Sequence, residues 1–147
     1  MLEKLPAPGR LLALDYGRVR VGIALSDALQ ITAQPYITLE KYKNFEHLAQ
    51  LIKKLCTEKD VVGIIIGVPV NMDGTEGEMA LEVKEFVAIL SNEVKLPYLL
   101  IDERLTSKQA QRVLQQAGKK ATRMEKGKLD QIAASFILTG YLDRKVF

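Results

Sequence analysis

Four acids in this chain occupy positions where carboxylates do chemistry. Asp15 ends the apolar run "LLALD", Asp102 and Glu103 end "PYLLIDE", and Asp130 lies within "KLDQIAAS". Groups of this kind gather at the carboxyl ends of parallel strands in open α/β sheets. Ala133 and Ala134 follow Asp130 at i+3 and i+4, so they share its helix face and let that helix approach a sheet closely. Converging carboxylates repel one another, and in a dry site they take up protons unless a cation joins them. Hard oxygen donors select Mg²⁺ or Mn²⁺. Two such ions roughly 4 Å apart activate water and stabilise the leaving oxygen of a phosphodiester. Each acid also has a plainer use. Asp15 can satisfy a turn, Asp102 or Glu103 can pair with Arg104 or cap a helix, and Asp130 can pair with a lysine. The conjunction carries more than any one of them.

Other chemistries lack their residues. His47 is the only histidine and Cys56 the only cysteine, so a two-histidine nuclease, an internal disulfide and a zinc site are excluded. His47 and Cys56 are expected to be structural. No GxxxxGK[ST] phosphate loop occurs. The longest apolar stretch, "VVGIIIGVPV", is too short for the roughly 20 residues of a bilayer span, and the N-terminus shows no signal-peptide core. A cytoplasmic protein without a membrane segment is expected. The 147 residues suit a single domain, 1–147.

Elements that position the acids follow from periodicity. Leu11–Tyr16 is apolar on both faces, hence a central strand. A tight turn through Gly17–Arg20 leads into Val21–Ser26, antiparallel to it. Thr32–Leu39 forms a third strand, confined to an edge by Pro35. Asn44 caps a helix reaching Glu58. Val61–Ile66 is a buried strand, followed by the loop "GVPVNMDGTEG", where Gly67, Pro69 and Asp73-Gly74 suggest a rigid turn. Thr75 with Glu78 predicts a capping box for a helix to Leu90. Thr106 with Gln109 predicts another, for a helix to Gln116. Gly118–Met124 reads as a polar loop, and a last helix spans Glu125–Asp143, with Ile132, Phe136, Ile137 and Leu138 partly inward. The order β-β-β-α-β-α-β-α-α gives an α/β fold with a mixed sheet.

Charge is uneven. The chain carries +3, yet between Arg104 and Lys128 eight basic residues meet only Glu125, a local +7. Such asymmetry suits a polyanionic partner, or else a solvated helix face. Candidate nucleic-acid contacts are Arg18, Arg20, Asn71, Arg104, Lys108, Arg112, Lys119, Lys120 and Arg123. Lys119, Lys120 and Arg123 are expected in the loop.

The segments "LALDYGRVRVGIALSD", "IIIGVPVNMDGTEG", "LLIDERLTSKQA" and "KLDQIAASFIL" together resemble the YqgF/RuvX family of Holliday junction resolvase-like proteins, in the family's order and over nearly the whole chain. The resemblance implies an RNase H-like fold, with a mixed five-stranded sheet flanked by helices. It implies a metal-dependent nuclease maturing the 5′ end of pre-16S rRNA in ribosome biogenesis. Asp15, Glu103 and Asp130 match the family's acids as catalytic residues and ligands for Mg²⁺ or Mn²⁺, with Asp102 as the alternative to its neighbour. Structured RNA is then the partner, with branched DNA the alternative, and the protein a monomer or homodimer. Two other readings stay open. One is a non-catalytic rRNA-binding assembly factor. The other is half of an actin-like ATPase, which needs a second domain.

Overall fold

Strands buried on both faces organise the molecule, a computed structural model that describes residues 4–69, 77–103 and 108–145. Five strands form one mixed sheet: β1 (Arg10–Tyr16), β2 (Arg20–Ser26), β3 (Ala33–Glu40), β4 (Val61–Val68) and β5 (Tyr98–Asp102). Their spatial order is β3-β2-β1-β4-β5. β1 pairs antiparallel with β2 and parallel with β4, and β5 joins β4 in parallel. β1 is therefore central and β3 an edge, as the sequence predicts. Pro35 sits beside a register shift in the β2–β3 ladder, where a missing N–H does least harm.

Alternate residues of each strand feed opposite cores. Leu12, Leu14, Ile23, Ile64 and Ile66 pack with α1 (Phe45–Glu58) and α2 (Glu78–Glu93). Leu11, Ala13, Ala24 and Ile65 pack with Ala134, Ile137, Leu138 and Tyr141 of α4 (Arg123–Lys145). Helices thus cover both faces of the sheet. Asn44 caps α1 as expected, its Oδ1 accepting from His47 N at 2.8 Å. His47 Nδ1 accepts from Lys43 N at 3.0 Å, and Cys56 is buried; both residues are structural.

Several boundaries differ from expectation. The N-cap of α2 is Gly77, with no side-chain cap, so Glu78 opens the helix rather than closing a box with Thr75, which lies outside the described residues. Gly67 and Val68 still belong to β4, and the rest of the expected turn, 70–76, is also outside. α3 (Lys108–Lys119) begins just after Thr106, which is likewise outside, and continues through Gly118. The expected loop therefore shrinks to residues 120–122. Thr122 Oγ1 accepts from Glu125 N at 3.3 Å, starting α4 two residues earlier than expected. Ile132 and Phe136 of α4 are only half-buried, while Tyr141 and Leu142 are buried. Among the described residues no helix is long and apolar enough to cross a membrane.

Candidate active site

Asp15 is the penultimate residue of β1 and shares the face of Leu11 and Ala13, which looks toward α4. By the same alternation Glu103, just past β5, falls on the face of Leu99 and Ile101, whereas Asp102 belongs to the opposite face. Asp15 and Glu103 meet across the carboxyl end of β4 and share a side-chain hydrogen bond. Gly67 makes room for them: a Cβ there would stand 2.8 Å from Glu103 Oε1 and 2.6 Å from Ile137 Cδ1.

Burial and mutual charge favour a proton between the two carboxyls. Burial, first, then the Glu103 charge, the shared hydrogen bond and the Asp130 charge push Asp15 well above its ordinary value of 3.8. Burial also raises Glu103, against the stabilising hydrogen bond from Asp15, and the Asp102 charge adds to the rise. The bond favours the charged form of Glu103 and the neutral form of Asp15, so Asp15 donates and Glu103 accepts.

Asp130 comes from the second turn of α4. Its carboxylate accepts from Arg20 Nε at 2.7 Å, with both side chains about three-quarters covered. Burial raises its pKa, and Arg20 opposes the rise. Gly22, directly opposite Asp15 in the β1–β2 ladder, sets the depth of this helix. A Cβ on Gly22 would fall 2.0 Å from the Asp130 carbonyl oxygen. Sequence reasoning credited the close approach to Ala133 and Ala134. Ala134 is fully buried, but the backbone contact belongs to Gly22. A glycine inside the apolar run "RVGIALS" is the signal for such an approach. α4 is further tied to β3, where Thr38 Oγ1 donates to Gly127 O at 2.5 Å and accepts from Gln131 Nε2 at 3.0 Å.

All-oxygen donors that share a proton suit a divalent cation, which would displace that proton. As the side chains lie, no three acids, histidines or cysteines among the described residues close around one point. Asp15 and Glu103 are paired, while Asp130 is held by Arg20.

A family model described as RuvX, Holliday junction resolvase, matches residues 9–144. The chain belongs to the RuvX family. A protein of Lachnospira eligens named "Putative pre-16S rRNA nuclease" is 43% identical over 138 residues, covering 92% of this chain and 98% of that protein. One of the same name from Syntrophomonas wolfei is 42% identical over 134 residues, covering 91% and 94%. Among solved structures, Thermus thermophilus RuvC in complex with a Holliday junction substrate superimposes with a TM-score of 0.61 at 11% identity, covering 93% of this chain and 96% of that one. That likeness concerns the fold, which is RNase H-like. The RuvX match spans all three candidate acids.

The basic candidates scatter more widely than the acids. Arg18 is exposed and tied to α2, its Nε 2.7 Å from Glu82 Oε2, while Tyr16 donates to Glu82 Oε1 at 3.2 Å. Glu82 is a partner that the sequence did not suggest. Arg112, Lys119 and Lys120 are exposed on α3 and just after it. Arg123 lies in α4 and not in a loop, with its guanidinium 3.4 Å from Glu40. Lys108 starts α3, its side chain outside the described set; Asn71 and Arg104 lie outside the described residues altogether.

Proposed function

We propose that this RuvX-family chain is a metal-dependent endonuclease acting in the cytoplasm on structured RNA, at the 5′ end of pre-16S rRNA. One observation carries the reading: the Asp15 and Glu103 side chains meet in a hydrogen bond at the carboxyl ends of β1 and β5, with the Asp130 charge alongside. The nuclease names of relatives about 40% identical to the chain supply the substrate class.

In this reading Asp15, Glu103 and Asp130 hold Mg²⁺ or Mn²⁺. The bound ions supply positive charge against phosphate oxygens and a water of lowered pKa. Asp15 gives up the shared proton when the site is loaded. Arg20 neutralises Asp130 beforehand and faces the incoming phosphate afterwards. Apolar packing of Ile137 against Gly67 limits water behind Glu103.

The test is cleavage of a pre-rRNA fragment and of a four-way DNA junction, each with Mg²⁺, Mn²⁺ or EDTA. Metal-dependent cutting of the RNA supports the proposal. Cutting of the junction alone moves the activity to branched DNA, a reading favoured by the family's description as a resolvase. A symmetric dimer in solution suits the junction, since two-fold substrates call for two-fold enzymes; a monomer suits RNA. RNA binding without cleavage under any metal would leave an assembly factor.

A further inference from the structure

A cleft of about 710 Å³ runs between the β3 edge and the first turns of α4. Arg20, Lys41, Arg123 and Lys128 line it, against the single acid Glu40. Arg123 and Glu40 form an exposed pair at 3.4 Å, and such solvent-screened pairs are weak, so Arg123 can turn to a stronger anion. Arg20 joins two places: it lines this cleft and holds Asp130 at 2.7 Å. Met124, 88% exposed, adds an apolar surface at the rim. Beneath them Gln131 Nε2 donates to Thr38 and Thr38 donates to Gly127, while Gln131 Oε1 is buried without a partner among the described residues and Tyr36 adds an aromatic ring to the lining. Four cations against one acid make charge what the cleft chiefly offers. A second cavity, about 420 Å³ beside the C-terminus of α1, makes the contrast, since Lys53 and Lys95 there face Asp60 and Glu93 in equal number.

We propose that the β3–α4 cleft holds the phosphodiester backbone of a single polynucleotide strand, leading it past Arg20 to the acids. The strand is single because the volume lies within the range of small-ligand sites, roughly 300–1,000 Å³. Recognition is by charge, so affinity is independent of sequence and steeply dependent on salt. The inference takes its purpose from the nuclease reading, but binding is measurable without cleavage.

Binding of a labelled oligouridylate and a labelled oligoadenylate is measured in EDTA, beside a blunt RNA duplex. Wild type is compared with Lys41→Glu/Lys128→Glu and with Lys53→Glu/Lys95→Glu, which changes net charge equally in the other cavity. The first pair is expected to lose at least about tenfold in affinity for both oligomers. Its log–log salt slope should fall by about 1.4, from about 0.7 per lost contact on a single strand. The second pair and Lys41→Arg/Lys128→Arg should bind as wild type does. Unchanged binding in the first pair, equal loss in the second, preference for the duplex, or no binding by wild type would each overturn the cleft. Normal binding with no cleavage under any metal would refute the nuclease and leave the cleft standing.

Discussion

Asp15 carries a heavy electrostatic load, buried beside Glu103 and near Asp130. Its folded pKa lies above that of the unfolded chain, so the folded state binds the proton more tightly and protonation stabilises it. That contribution is complete below the ordinary value of 3.8 and is lost as pH rises through the folded-state pKa. In EDTA, the melting temperature should therefore fall over that window in wild type and fall less in Asp15→Asn; parallel curves would argue against the shared proton. With metal the sign reverses. At a hundred times its Kd, Mg²⁺ should raise the melting temperature by about 5–10 °C. Asp15→Asn and Glu103→Gln should lose this shift, match or exceed wild type without metal, and cut at least about 100-fold more slowly. The double variant should be little worse than either single one, because the acids act as a unit. Arg20→Gln removes a cation beside the site, so Mg²⁺ should bind it more tightly while RNA binds less well. Calorimetry with the metal alone separates the two effects. At this scale the sequence pointed to Asp15, Glu103 and Asp130 as candidates, which the fold brings to one end of the sheet, and was silent about their pairing. Strand alternation distinguishes Glu103 from Asp102 once β5 is known to end at Asp102, but spacing alone left the two equivalent.

Glycines in the strands set where α4 and Glu103 sit. Gly22 meets α4 backbone, which has no rotamer to move, so Gly22→Ala should destabilise by about 3 kcal/mol and displace Asp130. Gly67 meets the far ends of Glu103 and Ile137 side chains, which can shift. Gly67→Ala should consequently keep most of the stability and lose cleavage with Glu103 out of place. Chemical denaturation beside a cleavage assay distinguishes the two, and equal stability losses would contradict the geometry. A glycine inside an apolar strand signals that something approaches Gly22, but the partner there, like those of Gly67, lies on an element distant in sequence. The central place of β1, the edge place of β3 and the Asn44 cap were legible, since each is local: apolar residues on both strand faces, Pro35 in a strand, and a side chain with an N–H three residues on. Local signals also misled. Thr75 and Glu78 have capping-box spacing, yet Gly77 is the cap, and Gly118 looked like a stop where α3 runs on with open space around it. The Thr122–Glu125 spacing, passed over, marks the true start of α4.

Across the whole molecule, opposite charges are arranged side by side. Acids gather at the strand ends, and the cations of Arg20, Arg123 and Lys128 flank them along α4 and β2. A substrate of many phosphates is attracted by one group and repelled by the other until metal is present. RNA affinity should therefore rise with Mg²⁺ in wild type and respond little in Asp15→Asn; a titration monitored by fluorescence anisotropy, at matched ionic strength, reads the difference.

α4 has a consequence for the order in which the protein becomes active. It supplies Asp130 and covers the sheet face of Leu11, Ala13, Ala24 and Ile65, and its partner Arg20 lies 110 residues earlier. Synthesis proceeds from the N-terminus at about 5–20 residues per second, and all five strands emerge from the ribosome before this helix does. For those seconds the nascent chain holds Asp15 and Glu103 without their third member, beneath an uncovered apolar face. With Asp130 in the role proposed for it, the site is complete only when α4 docks, and translation itself would time the activity.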